Sequence, residues 1–131
     1  MRGQSGSMLP AFGGLAFVSL VMLALAVEIA SFGMVWRQTS AVADSAAESA
    51  AAMVDIDALH KGDTVLEETA AAREAYVVVD SAGDVYSATV DVTPDEVCVT
   101  VHRVYQPLAL RGFSVSDAAV DVVSCAQPRT G

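Results

Sequence analysis

The sequence predicts an α+β chain: a long N-terminal transmembrane helix extended as an alanine-rich rod, a second short helix, and a small antiparallel β-sheet head. Three observations predict it. Residues 8–27 carry no charged side chain, alanine dominates the stretch around residues 41–52, and valine alternating with polar residues dominates the last third. With 131 residues, a single domain is expected and a multidomain enzyme is excluded. A mean hydropathy of +0.47 beside a net charge of -9 requires that apolar and acidic parts be separated along the chain.

Residues 1–7, MRGQSGS, read as a short polar tip. The apolar run MLPAFGGLAFVSLVMLALAV that follows would cover about 30 Å as a helix, enough to cross a bilayer's hydrocarbon core. Pro10 falls in the first turn, where a missing N–H costs little. Apolar character resumes after Glu28 as IASFGMVW and stops at Arg37, which assigns residues 8–36 to the membrane helix. All 16 carboxylates lie at Glu28 or beyond. Arg2 precedes the span and an acidic stretch follows it, so the positive-inside rule puts the N-terminus in the cytoplasm and the head outside.

Helical pattern continues through AVADSAAESAAAMV and IDALH to Lys61-Gly62, a basic residue and a glycine stop. Unbroken, that helix has about 50 residues and a length of about 75 Å, with residues 37–61 as a rod beyond the bilayer. Ala43, Ala47, Ala50, Ala51 and Val54 share one face of the rod, with Asp44, Glu48 and Asp55 flanking it. Within the span, Ala26, Ala30 and Gly33 form a second stripe of small residues. Both stripes suit close helix packing, and so assembly into homo- or hetero-oligomers, better than ligand chemistry. Glu28 is the sharpest single candidate. A carboxylate at the outer end of an apolar helix needs water or a partner, so it either pairs with a basic group of a neighbouring subunit and sets register, or merely marks the interface beneath Phe32 and Trp36.

Residues 62–131 form the head. Thr64-Val65-Leu66-Glu67 fits a capping box and starts a helix ending near Ala75. Runs of strand type follow at 76–79, 85–92, 97–105 and 113–125. Turns at Asp80-Ser81-Ala82-Gly83-Asp84 and Thr93-Pro94-Asp95-Glu96 separate the first three, and the short Pro94-Asp95 turn between two β-branched runs suits an antiparallel hairpin. Parity puts Val97, Val99 and Val101 on one face and Cys98 on the other, with Cys125 on the more polar face of its own run. Two cysteines in an oxidising compartment suggest a Cys98–Cys125 disulfide, with two buried thiols as the alternative.

The tip, the span and the segment ALAVEIASFGMVWRQTSAVADSAAESAAA resemble the TadE/TadG-like proteins of tight-adherence (Flp) pilus systems. Glu28 in ALAVE and Asp44 in ADSAA stand where those proteins carry an acidic residue late in the span and an Asp-x-Ala-Ala sequence. The likeness covers about residues 3–55. It implies a pilin-like or pseudopilin-like fold, a single-pass protein of the cytoplasmic membrane, and partners among other pilin-like subunits and pilus assembly platform proteins. Prepilin-peptidase patterns place glutamate five residues after a glycine. Gly3 is followed at that distance by Met8 and Gly6 by Ala11, so the chain leans toward the uncleaved TadG-like pattern.

No catalytic constellation is present in the sequence: G-x-S-x-G, HExxH, CxxC, Walker and GxGxxG patterns are all missing, and an enzyme is not expected. No cofactor is implied. Asp55, Asp57 and His60 fall short of a defined metal shell. The acidic head lacks a basic patch and would be repelled by phosphate backbones, which excludes nucleic acid. The competing expectation is a secreted small binding domain, released by cleavage after Ala24-Leu25-Ala26.

Overall fold

A computed structural model describes residues 8–113 and 115–129. The tip at residues 1–7 lies outside the described residues. The chain is α+β, with one long apolar helix, two shorter helices and a three-stranded antiparallel sheet. Helix α1, Met8–Ala51, has 44 residues and is therefore about 66 Å long. The rod expected to run unbroken to Lys61 stops ten residues earlier. Val54 instead bridges Leu66, and the main-chain N–H groups of Asp55 and Glu67 donate to Val65 and Met53 at 2.8 and 2.9 Å. Asp55 then caps α2, Ile56–His60, with Oδ1 accepting from the N–H groups of Asp57 and Ala58. The reversal seats Leu66, 3% exposed, in the core. Burial of that side chain is favourable by about 2 kcal/mol, which one more straight turn of exposed helix would forgo.

Helix α3, Glu68–Ala82, is capped by the Glu67 side chain, which accepts from the Ala70 N–H; Thr64 takes no part in the cap. The run 76–79, expected as a strand, forms the middle of this helix. Ala71, Ala75 and Val79 recur every fourth residue and are buried against α1, so packing overrides the β-branched preference of Val77, Val78 and Val79. Gly83 ends the helix at φ 126°, a backbone conformation open to glycine and strained for other residues.

The sheet is a meander of β1 (Tyr86–Val92), β2 (Val97–Tyr105) and β3 (Ala118–Ala126), with β2 central. Thr93 closes the β1–β2 turn by exchanging bonds with Glu96. Val97, Val99 and Val101 of β2 and Val120 and Val122 of β3 face the helices. Cys98 and Cys125 are directly opposed across β2 and β3 on the outer face and form a disulfide.

The core lies between this sheet, α3 and the upper half of α1. There Ala43, Ala46, Ala47 and Ala50 are fully buried and Ala51 nearly so. The alanine face of the rod is thus taken by the chain's own α3 and sheet, which corrects the expectation that Ala43, Ala47, Ala50 and Ala51 would be free to receive a neighbouring subunit. Side chains this small let two layers approach one helix closely. The stripe of Ala26, Ala30 and Gly33 stays exposed, and the space where a Gly33 side chain would stand is open.

Candidate functional site

The most connected polar group in the molecule's lower half is the Glu28 carboxylate, 9% exposed on an otherwise bare stretch of helix. It is held by residues about 80 positions away. The Tyr105 hydroxyl, at the end of β2, donates to Oε1 at 2.5 Å, the Leu108 N–H donates to the same oxygen at 3.1 Å, and the Ala109 N–H donates to Oε2 at 2.8 Å. Pro107 is buried just before these two donors. Its ring fixes the local backbone, so that consecutive N–H groups converge on the two carboxylate oxygens. The Tyr105 ring also meets Phe32 edge-on, with centroids 5.4 Å apart at 86°. Together these contacts form a clasp between the base of the sheet and α1.

The clasp raises the Tyr105 phenol from its ordinary 10.0 to about 12. The hydrogen bond to Glu28 is the main cause, since the neutral phenol donates its proton to the carboxylate and a phenolate could not; burial and the carboxylate's charge act in the same direction. What the sequence left open for Glu28 was the partner of its carboxylate. The carboxylate is not left unpaired for a neighbouring subunit or for water, while its position at the outer end of the apolar run is unchanged. Its partner is the chain's own head, a contact that no local pattern around residue 28 signals.

Above the clasp, Arg103 lies on the inner face of the sheet, donates to Gln38 Oε1 at 3.0 Å and to the Tyr86 hydroxyl at 2.9 Å, and rests over the Tyr86 ring. Higher still, Ser124 donates to Asp44 at 2.6 Å. Asp44, singled out in ADSAA, thus ties α1 to β3. Glu28, Gln38 and Asp44 fasten the head along the helix at three heights.

On the outer face a polar line missed by the sequence reading crosses all three strands. His102 Nδ1 lies 2.8 Å from Asp121 Oδ1, and Nε2 lies 3.2 Å from Thr89 Oγ1. Hydroxyl, imidazole and carboxylate stand in the order of a hydrolytic triad. The His102 and Asp121 side chains are 39% and 57% exposed, so water competes for each bond and the line links the three strands only weakly. Register alone places His102 opposite Asp121, and strand parity shows only that each belongs to an outer face. Glu96, Cys98 and Cys125 also gather within ligand distance of one another, but the disulfide occupies both sulfurs. Asp55 Oδ1 caps α2, and among the described residues Asp55, Asp57 and His60 do not gather within ligand distance of one another.

Beneath the clasp, α1 is uncovered. Phe12, Leu15, Phe17, Leu20 and Met22 are each 65–74% exposed, and the most apolar 18-residue window reaches a mean hydropathy of 2.3. That stretch is long and apolar enough to cross a membrane. Comparison with protein-family models, with curated proteins and with solved structures finds no match to this chain.

Proposed function

We propose that this chain is a membrane-anchored, pilin-like structural or assembly component, of the minor pilin or pseudopilin type, in an Flp-type pilus or related secretion apparatus. One observation carries the reading: a single continuous helix is bare and bulky below Glu28 and is the spine of its own head above it. Such a rod projects a small folded head from a bilayer and leaves one flank of the helix free for neighbours. That flank includes the exposed Ala26 and Gly33, beside Ile29 at 72% exposure. Arg2 before the span, and a disulfide suited to an oxidising compartment, support a cytoplasmic N-terminus and an extracytoplasmic head. The likeness of ALAVE and ADSAA to TadE/TadG-like proteins supplies the pathway.

A second reading draws on a specific feature. The head's polar contacts with α1 begin at Glu28, two residues beyond the Ala24-Leu25-Ala26 site, so cleavage there would release a head with its clasp intact. Fractionating cells that produce the protein, and measuring its intact mass, separates the two. An anchored component stays in the membrane fraction with residues 8–27 attached, whereas a soluble product beginning at Val27 would overturn the anchor. Shearing cells and finding the protein among the sheared filaments would then distinguish a filament subunit from a membrane-resident assembly factor.

A further inference from the structure

The clasp also fixes the height of a particular loop. Residues 8–27 span about 30 Å, the thickness of the hydrocarbon core, which puts Glu28 at its outer boundary. The N–H groups of Leu108 and Ala109 are bonded to that carboxylate, so the segment 106–112 lies at the same depth, inside a headgroup layer about 6 Å thick. Its composition differs from that of the turns at the far end of the head. Gln106-Pro107-Leu108-Ala109-Leu110-Arg111-Gly112 contains one charge, whereas Lys61-Gly62-Asp63 and Thr93-Pro94-Asp95-Glu96 contain four between them. Leu108 is 69% exposed and Val104, which lines the same groove, is 60% exposed, so the two form a joint apolar surface at that depth. An open groove of about 760 Å³ between the loop and α1 is lined by Val27, Ala30, Met34, Val104 and Leu108, and is continuous with the bare surface of the span.

We infer that the segment 106–112 is a membrane-resting foot: it lies in the outer leaflet with Leu108 among the glycerol and upper acyl groups and Arg111 at the depth of the phosphates. The occupant of this surface is phospholipid. Leucine gains by leaving water, and an arginine at that depth meets anionic oxygens. The foot gives the head a second point of membrane contact beside α1, and the clasp joins the two. A head held in this way has its tilt set at the membrane surface, so the upper rod and sheet project in a defined direction.

This inference rests on the membrane-anchored reading, and three single-tryptophan variants test the two separately. In a Trp36→Phe background, the full chain carrying Val18→Trp, Leu108→Trp or Val123→Trp is reconstituted into vesicles of phosphatidylcholine and phosphatidylglycerol. All three positions are exposed, so each folds without repacking. Brominated acyl chains are expected to quench tryptophan at 18 and at 108 several-fold more than at 123, and acrylamide is expected to quench in the opposite order. Quenching at 18 by bromine, with 108 as open to acrylamide as 123, overturns the foot and leaves the anchor standing. Absence of bromine quenching at 18 overturns the anchor itself. Tryptophan at 108 shielded from both quenchers would place a second protein surface there and also overturns the foot.

Discussion

The lower half of α1 and the buried face of its upper half are both apolar, and both carry small residues at helical spacing, yet they meet opposite surroundings. Residues 10–27 present Phe, Leu, Met and Val outward, whereas residues 43–51 present alanine inward to α3 and the sheet. The difference lies in side-chain size. Bulky side chains are satisfied by any apolar medium, including fluid acyl chains, and need no shaped partner. Alanine offers little area of its own and stabilises only by letting another backbone come close. A stripe of alanine on a helix therefore implies a nearby protein surface, and in this chain that surface is intramolecular.

The contrast makes predictions of graded size. Removing the disulfide with Cys98→Ala and Cys125→Ala should have the largest effect, on the order of 3 kcal/mol of head stability for a loop closed across 27 residues. Urea unfolding followed by tryptophan-independent circular dichroism of the sheet should show it, while retention of the chain in membranes stays unchanged. Ala47→Leu comes next. It forces a larger side chain into a site with no exposure and should cost about 2 kcal/mol, seen as a lowered thermal midpoint. Leu15→Ala, an equal change in size on the bare half, should leave that midpoint where it is; an equal fall in both would erase the distinction between the halves.

Smaller effects should come from the clasp at the boundary. Glu28→Gln keeps one acceptor oxygen and loses the charge, so the segment 106–112 should exchange its amide hydrogens faster while the sheet's protection is retained. The smallest effect depends on pH. Because the Tyr105 phenol is raised from 10.0 to about 12, the clasp contributes fully below pH 10 and is lost as pH climbs through about 12. Tyr105→Phe should remove that alkaline limb from the stability profile and leave the profile near neutrality flat.

Strand content was readable where the pattern was local. Val97, Val99 and Val101 alternate with Cys98 and Thr100, and both the burial and the placement of the cysteines follow from that parity. The same local logic failed at 76–79, where β-branched residues lie on a helix because Ala71, Ala75 and Val79 hold its face against α1. It failed again at residue 52, where the periodic alanines run past a reversal decided by Leu66 and Val54.

The sequence by itself determined the division of the chain into a bare apolar half and an acidic α+β remainder, because charge and hydropathy are properties of each segment alone. It also determined the facing of the sheet, since side chains alternate at a period of two whatever the partner strand. Tertiary structure decided what fills the alanine face, which strand residues stand opposite His102, and what binds Glu28. Each of those depends on residues distant in the chain brought together by packing, and the Glu28 carboxylate is held by groups about 80 positions away whose convergence no local spacing expresses.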